Sequence, residues 1–516
     1  MRMTSSFRGF ASVIVWCLAC AVVLAGPRSF KVEFDPALQA EPYSGRVYVV
    51  ITSGGIGGEP RVRMGDWFNP PQVCAVDVKD VARGGTVTID ETALHFPGAI
   101  GEMAAEKYTV QAVARRNLDA AMAGRGAGDL YSEPAEADWT DGAAGAPPAP
   151  VTLKLTKAVA ARPMRETDRL KVVEFESKLL SAFHKRPVKV RAGVVLPKDW
   201  SAEADRTWPA VWSIPGFGGD HTSVRMFARG RGAAGEDNPR DQLIWVVPDP
   251  TNYWGHSVFA DSANTGPWGR MLIEEMIPEV EKRFKGPAAA GGGGAAQRFV
   301  TGVSSGGWSS LWLMITYPDQ FAACYSHVPD PVDFRDFQRI DLYAPGTNMY
   351  KDARGVARPL SRSMGPRDPL MYEKFVAMET VLGPGGQIAS FEAVFSPRGA
   401  DGLPRPLFDR KTGAIDPVTA KAWEPYDIRL VLEKNWAKLG RKLKDKIHVY
   451  AGEVDTFYLE GAARLLKASL EKLDPAGGYG EVIIVPGMPH GLHSPGMEEM
   501  VKRAAETGAV PAGVGK

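Results

Sequence analysis

One stretch, QRFVTGVSSGGWSSLWLMITYP at residues 297–318, constrains the fold more than any other part of the chain. An apolar run leads into Gly302-Val303-Ser304-Ser305-Gly306, and a helical pattern follows at once, with apolar residues at i, i+3, i+4 and i+7, until Pro318 stops it. A turn this sharp needs glycines where a Cβ would collide, and it exposes its middle residue at the end of the strand. The stretch therefore predicts a strand–turn–helix unit that presents Ser304 as a candidate nucleophile.

The first 25 residues predict an export signal. Arg2 and Arg8 precede an apolar run at residues 10–25 that is shorter than the roughly 20 residues needed to cross a bilayer. The run ends in Val23-Leu24-Ala25, a small-residue pattern typical of signal cleavage. We expect a signal peptide at residues 1–25, a secreted or periplasmic protein, and no stable membrane span after cleavage. Lipoprotein anchoring through Cys20 is the alternative, although the apolar run continues past it.

Charge and cysteine content exclude several classes of function. The 516 residues carry a formal net charge of +1, which provides no electrostatic basis for binding nucleic acid. Two of the four cysteines lie in the predicted signal peptide, and Cys74 and Cys324 are expected to be buried small apolar residues rather than a disulfide framework. We find no metal-ligand cluster and no phosphate-binding glycine loop, so the sequence predicts neither a metal nor a cofactor.

The region before residue 160 is predicted to be an all-β, sandwich-like domain spanning residues 26–160. Its β-branched runs alternate with period two and are separated by Gly, Pro and Asp. They lie at 29–34, 45–52, 86–90, 107–116 and 151–159. The Ala-, Gly- and Pro-rich segment 120–150 is predicted to be a loop. Trp67, Phe68 and Trp139 are candidates for binding sugar rings, with packing in the core or a loop as the alternative.

Residues 161–516 show short apolar strands alternating with helices, which is typical of a mostly parallel sheet with helices on both faces. We predict strands within 171–183, 188–197, 208–220, 243–250, 321–328, 447–455 and 481–491, besides the one before Ser304. An amphipathic helix at 268–284 should kink or restart at Pro278. Residues 329–446 interrupt the alternation, and we expect them to form a cap or lid over the substrate pocket.

Two further residues suit the chemistry that Ser304 would need. A serine hydroxyl requires a base to remove its proton, and the base requires an orienting acid. Asp455 and His490 each follow a predicted strand, at the sheet edge where active groups of open α/β sheets collect. We predict Ser304 as nucleophile, His490 as base and Asp455 as acid. Alternatives that the sequence leaves open are His493 for the base and Glu453, Asp330 or Asp333 for the acid.

An oxyanion site requires two backbone N–H donors near the nucleophile. Ser305 directly follows the candidate nucleophile, and its amide is the first predicted donor. The second should come from Pro215-Gly216-Phe217-Gly218-Gly219, where glycines let the backbone approach the substrate. Phe217 is the first choice in this loop and Gly218 the second.

Several stretches together resemble the esterase D-like family of α/β-hydrolases, the putative esterases, which includes enterochelin and feruloyl esterases. The resemblance spans roughly residues 170–495 and does not cover residues 27–160. It is carried, in this order, by RPVKVRAGVVLP, VWSIPGFGG, FADSANTGPWG, TGVSSGGW, GEVDTFYL and PGMPHG. It implies an α/β-hydrolase fold, the roles of Ser304, Asp455 and His490, and a substrate pocket near Asp261, Ser262, Asn264 and Trp268. The chain departs from many relatives at Pro215, where they have His, and in its long insertion before Asp455.

The sequence thus predicts an exported serine esterase that hydrolyses carboxylic esters through an acyl-enzyme. The expected substrate is a small-molecule or carbohydrate-linked ester. Two alternatives stay open: a serine peptidase or acyltransferase with the same three residues, and a non-catalytic binding protein with a hydrolase fold.

Overall fold

The computed structural model describes residues 28–53, 58–140, 149–228, 238–290, 294–363, 365 and 367–508. The predicted signal peptide, including Cys17 and Cys20, lies outside these ranges. Within them, no helix is both long enough and apolar enough to cross a bilayer. Cys74 and Cys324 are buried free thiols.

The N-terminal region forms two β-sheets that share a core. Its strands are β1 (Phe30–Phe34), β2 (Tyr43–Ser53), β3 (Gln72–Val81), β4 (Thr86–Ile89), β5 (Leu94–Phe96), β6 (Lys107–Ala114), β7 (Leu130–Tyr131), β8 (Ala135–Asp138), β9 (Val151–Leu155) and β10 (Lys157–Ala158). The smaller sheet has the order β4-β1-β9, and the larger has the order β10-β7-β6-β2-β3-β5, with β8 also paired to β6.

Strand β2 is buried on both faces because its alternate side chains enter two different cores. Val47, Val49 and Ile51 pack inside the N-terminal region, between its two sheets. Tyr48 and Val50 point the other way and join the core of the rest of the molecule. The N-terminal region therefore packs directly against the remainder of the chain.

Four strands of the N-terminal region differ from the sequence prediction. Strands β3 and β5 were not predicted, although Gln72–Ala75 of β3 are buried and pair with both β2 and, from Val73 on, β5. Strands β7 and β8 lie inside the segment 120–150, which we predicted to be a loop, and both pair with β6. Trp139, directly after β8, is only 6% exposed and packs on Phe30 and Tyr108, which rules it out as an open sugar platform.

The second part of the chain forms one eight-stranded sheet that is mostly parallel. Its strands are β11 (Leu170–Glu176), β12 (Lys189–Val195), β13 (Ala210–Ile214), β14 (Ile244–Pro248), β19 (Arg298–Val303), β20 (Ala323–His327), β21 (Ile447–Gly452) and β22 (Gly480–Val485), with two short hairpins between β14 and β19, β15 (Thr251–Asn252) with β16 (Gly255–His256) and β17 (Asp261–Ser262) with β18 (Gly266–Pro267). The order is β11-β12-β14-β13-β19-β20-β21-β22, and all pairs from β14 onward are parallel.

Helices cover this sheet and fill the insertion. They are α1 (Lys178–His184), α2 (Arg225–Ala228), α3 (Trp268–Arg270), α4 (Ile277–Phe284), α5 (Ser305–Thr316), α6 (Tyr372–Leu382), α7 (Gln387–Phe395), α8 (Pro417–Ala422), α9 (Ile428–Leu439), α10 (Glu460–Leu473) and α11 (Ser494–Gly508). Helices α6 to α9 belong to the insertion between β20 and β21, which we call the cap.

One local prediction needs correction, and another is confirmed. The stretch 171–183 is not a single strand, because Ser177 accepts a hydrogen bond from the Leu180 amide and starts helix α1 there. The helix at 268–284 restarts next to Pro278, as predicted. A π-helical segment, Met271–Met276, connects α3 to α4, and Pro278 then occupies the first turn of α4, where its missing N–H costs nothing.

The N-terminal region holds the cap at the end of α6. Arg46 donates to the carbonyls of Thr380 and Val381 at 2.7 and 3.0 Å, and Tyr48 Oη donates to that of Leu382 at 2.7 Å. The last carbonyls of a helix have no partner within the helix, and a cation beside them also meets the negative end of its dipole. These contacts fix the turn between α6 and α7.

Candidate active site

Ser304 lies on a strained turn between β19 and α5. Its backbone has φ 60° and ψ −123°, a conformation that non-glycine residues adopt only when the surroundings enforce it. The neighbouring glycines are sterically required. A Cβ on Gly306 would lie 2.0 Å from the Ile214 carbonyl oxygen, and one on Gly302 would lie 2.2 Å from the Gly306 carbonyl oxygen. The predicted strand–turn–helix unit is therefore present, with Ser304 at the C-terminal edge of the sheet.

Asp455 and His490 come together at the same edge. Asp455 is fully buried, and its Oδ2 lies 2.8 Å from His490 Nδ1. Its other oxygen accepts the Phe457 amide at 2.8 Å, which fixes the carboxylate. Phe457 also packs edge-on against the His490 ring, with centroids 5.0 Å apart. The imidazole is thus held in one orientation, and both Ser304 and His490 line one cavity.

The alternative residues have other partners. His493 stacks on Tyr450, and its Nδ1 accepts the Gly496 amide. Glu453 accepts the Gly487 amide in the loop before His490. Asp333 is fully buried and ion-paired with Arg335 and Arg429. None of the three alternatives lines the cavity of Ser304.

Asp330, the remaining alternative acid, lies beside Ser304 itself. Ser304 Oγ donates to Asp330 Oδ1 at 3.4 Å, and Ser305 Oγ donates to Oδ2 at 2.5 Å. Gln387 from α7 donates to the same Oδ2 at 3.2 Å. Burial raises the pKa of Asp330 to about 6, because removing a carboxylate from water disfavours its charged form. Asp330 therefore connects the nucleophile turn to the cap.

The two predicted oxyanion donors flank Ser304. Ser305 is the first residue of α5, where helix amides have no partner within the helix. Phe217 lines the cavity of Ser304, and in the described part of the chain its amide donates to no acceptor. Gly219, two residues on, instead closes the loop by donating to the Gly216 carbonyl at 3.0 Å.

A buried histidine that the sequence did not reveal supports this loop. His256 Nε2 donates to the Pro215 carbonyl at 2.9 Å, while its Nδ1 accepts the Val258 amide. Burial lowers the pKa of His256 to about 4, so the ring is neutral and keeps one donor and one acceptor nitrogen. His256 therefore holds the loop in place through the Pro215 carbonyl.

The cavity around Ser304 has a volume of about 300 Å³ and mostly apolar walls. Its lining comes from the sheet edge, the cap and the N-terminal region. It consists of Trp67, Gly216, Phe217, Val303, Ser304, Asp330, Pro331, Gln338, Leu360, Gln387, Ile388, Phe391, Phe457 and His490. A pocket of this kind holds an apolar group and orients it with a few polar contacts.

The predicted pocket residues in FADSANTGPWG lie elsewhere, so that prediction is corrected. Asp261 pairs with Arg270. Ser262 Oγ and Asn264 Nδ2 donate to the Ala393 carbonyl at the end of α7. Asn264 and Trp268 line a separate cavity of about 250 Å³, and none of the four lines the cavity of Ser304. The stretch supports the cap because its polar side chains hold the carbonyls that end α7.

Several residues of the cavity were not predicted to lie beside Ser304, although Trp67 was a candidate for binding sugar rings. Trp67 comes from the N-terminal region, Gln387 and Phe391 from α7, and Phe457 from the loop after β21. Nothing in the local pattern distinguishes these aromatic residues from ordinary core residues. Phe457 was the most accessible to prediction, because it lies two residues after the candidate acid.

One group of residues has spacing suited to a metal ion, far from Ser304. Ligand atoms of His448, Glu481 and Glu499 lie within 4.8 Å of one another, the only such group in the described ranges. His448 is the second residue of β21, at the opposite end of the sheet strands from Ser304. Arg503 lies 3.2 Å from His448 Nε2 and places a positive charge beside the group, which disfavours a cation there.

Comparison with known proteins supports an esterase fold. A family model described as putative esterase matches residues 183–468. An S-formylglutathione hydrolase from Agrobacterium tumefaciens aligns at 15% identity over 66% of this chain and 95% of its own, with a TM-score of 0.37. A ferulic acid esterase aligns at 11% identity over 66% and 98%, also with a TM-score of 0.37.

A third structure, the fluorophosphonate-binding serine hydrolase FphF of Staphylococcus aureus, aligns at 12% identity over 66% of this chain and 97% of its own, with a TM-score of 0.35. At these values the structural likeness adds no argument about activity. No curated protein sequence matches the chain. The matched family segment covers more than half of the 516 residues and leaves out the N-terminal region.

Proposed function

Because the chain belongs to the putative esterase family and is a carboxylic ester hydrolase, we propose that it works through Ser304, His490 and Asp455. The observation that carries the proposal is the Asp455–His490 contact of 2.8 Å beside the cavity that Ser304 also lines. Asp455 would hold the His490 tautomer whose Nε2 accepts a proton, and would stabilise the imidazolium that forms.

The proposed reaction has two balanced halves. Ser304 Oγ attacks the ester carbonyl while His490 takes its proton, and the amides of Ser305 and Phe217 stabilise the oxyanion. The intermediate collapses, the C–O bond to the alcohol breaks, and His490 gives its proton to the departing alkoxide. Water then attacks the acyl-enzyme with His490 again as base, which releases the carboxylic acid and restores Ser304.

The finer substrate and the location of the protein belong to the same proposal. A carbohydrate-linked ester is one candidate substrate, whose sugar would have to lie on the solvent side of the cavity because the walls near Ser304 are apolar. Export rests on residues 1–25 alone. Peptidase or acyltransferase activity would use the same three residues, so amide substrates and added alcohol acceptors belong in the first assays.

A labelling experiment tests the proposed nucleophile. Wild-type protein should gain the mass of one fluorophosphonate adduct and release a burst of p-nitrophenol from p-nitrophenyl acetate. Ser304→Ala should show neither. Ser310→Ala is the matched control, because Ser310 lies on α5, six residues after Ser304, and is buried outside the cavity. Undiminished turnover by Ser304→Ala would refute the mechanism.

A further inference from the structure

We propose that Trp67, a residue of the N-terminal region, is a specificity-determining wall of the cavity around Ser304. We infer further that this cavity selects acyl groups that are bulky, apolar and free of negative charge. The inference rests on the proposed function and names the substrate class of that site. Trp67 lies outside the segment that matches the family model, which begins at residue 183.

Trp67 contacts residues on three sides of the cavity. Its ring lies 5.7 Å from Phe217 in the oxyanion loop and 6.2 Å from Phe457, measured between ring centroids. Phe375 of α6 packs edge-on against it at 4.8 Å. Phe457 in turn contacts His490. Trp67 thus closes the space between the oxyanion loop, the cap and His490, and a ligand in the cavity would touch it.

The loop that carries Trp67 is held before any substrate binds. Asp66 Oδ1 accepts the amides of Phe68 and Asn69 at 3.2 and 3.0 Å, which closes a tight turn around Trp67. Arg63 donates to the Asn69 carbonyl at 3.1 Å from the other side of the turn. A side chain on such a turn loses little conformational freedom when a ligand packs on it, which favours a binding role.

The acyl group is the part of the substrate that this cavity must hold. In the acyl-enzyme it is bonded to Ser304 Oγ, which opens into the cavity. Large apolar side chains, among them Trp67, Phe391 and Phe457, face that space. An acetyl group would leave most of about 300 Å³ unfilled, whereas a longer apolar chain would gain contact with these walls.

Charge narrows the class further. Asp330 is the one acidic residue of the lining, and no Lys or Arg is among the lining residues, all of which are described. Asp330 is 6% exposed and lies 3.4 Å from Ser304 Oγ. A carboxylate on the acyl group would lose its water beside this acid without gaining a cation, which is unfavourable in a buried site.

The test compares acyl groups on one leaving group. For wild type, we expect kcat/KM for p-nitrophenyl hexanoate to exceed that for the acetate and for the mono-p-nitrophenyl ester of adipic acid, which adds a terminal carboxylate to a six-carbon chain. Trp67→Ala should lower the hexanoate-to-acetate ratio about tenfold or more, because only the longer chain reaches the lost wall.

Phe68→Ala is the matched control, since Phe68 lies on the same turn but does not line the cavity, and it should keep the wild-type ratio. Trp67→Phe carries the test if Trp67→Ala does not fold. An unchanged ratio, or an equal fall for both esters, would overturn the role of Trp67. Equal rates for the hexanoate and adipate esters would overturn the charge selection. Absence of any Ser304-dependent ester hydrolysis would instead refute the proposed function.

Discussion

The candidate triad and the walls of the cavity are built in different ways. The candidate triad consists of Ser304, Asp455 and His490. These residues lie in loops that directly follow β19, β21 and β22, so parallel strands bring them together at one sheet edge. The walls include Trp67 from the N-terminal region and Phe391 from the cap, which are more than 300 residues apart. The candidate chemistry thus depends on the order of strands, whereas the shape of the cavity depends on how three separate regions pack.

The largest effect on activity should come from a substitution in the candidate triad. Asp455→Asn should lower kcat about 10³- to 10⁴-fold for every ester, because an amide favours the wrong His490 tautomer and cannot stabilise the imidazolium. Steady-state kinetics with acetate and hexanoate esters measures it. Glu453→Gln, two residues away and bonded to the Gly487 amide, should change kcat little. A larger loss in Glu453→Gln than in Asp455→Asn would assign the acid to Glu453.

The turn that carries Ser304 is where a substitution should lower the free energy of unfolding most. Gly306→Ala places a Cβ 2.0 Å from the Ile214 carbonyl oxygen, so β13 and the turn must separate. We expect a loss of about 3 kcal/mol in the free energy of unfolding and little remaining activity. Urea unfolding measures it, with Gly98→Ala as control, because a Cβ there meets its nearest atom at 3.8 Å. Equal stability of the two variants would contradict a tightly packed turn.

Asp330 connects the candidate triad to the walls of the cavity. Its titration should make the free energy of unfolding depend on pH. Burial raises its pKa from 3.8 to about 6, so the native protein binds the proton more tightly than the unfolded chain. The contribution of Asp330 to stability should therefore fall as pH rises from about 4 to about 6, by up to about 3 kcal/mol. Above pH 6 the full cost is present.

Asp330→Asn removes this titration. The free energy of unfolding of the variant, minus that of wild type, should therefore increase between pH 4 and pH 6 and then level off. Urea unfolding at a series of pH values measures the difference. A difference for Asp330→Asn that does not change with pH would contradict this prediction and would show that the carboxylate is well compensated when charged.

The smallest effect should come from the contact that fixes the walls. Tyr48→Phe removes the hydrogen bond to the Leu382 carbonyl before α7 and should cost about 1 kcal/mol. Because that turn precedes Gln387 and Phe391, the hexanoate-to-acetate ratio should also shift. Tyr108→Phe removes a comparable bond to Ala104 within the N-terminal region and should leave the ratio unchanged. An equal ratio in both variants would separate selectivity from domain packing.

The sequence predicted the candidate triad because the patterns that indicate these residues are local. A strand, a sharp turn and a helix identify Ser304, and strand ends identify Asp455 and His490. The walls lack such signals. Trp67 looks like any loop aromatic, and only the tertiary packing of three regions brings it to Phe217. The error over Asn264 has the same origin, since its amide binds carbonyls more than a hundred residues away.

The prediction of secondary structure was wrong where a hydrogen bond or a strand pairing outweighed the sequence pattern. The run 171–183 alternates like a strand until Glu176, but the hydroxyl of Ser177 satisfies a helix amide, which ends the strand. Segment 120–150 is rich in Ala and Gly, yet β8 forms there because β6 offers an edge to pair with. Neither outcome can be read from composition alone.

The two-sided burial of β2 has a consequence for how the molecule can be divided. Its odd-numbered residues from Val47 to Ile51 and its even-numbered Tyr48 and Val50 belong to different cores, so neither core can open without exposing a face of the same strand. The N-terminal region and the rest of the chain should therefore melt together in one cooperative transition. A shortened chain starting near residue 161 would keep the candidate triad but would expose apolar side chains and helix carbonyls that β2 and Arg46 now cover.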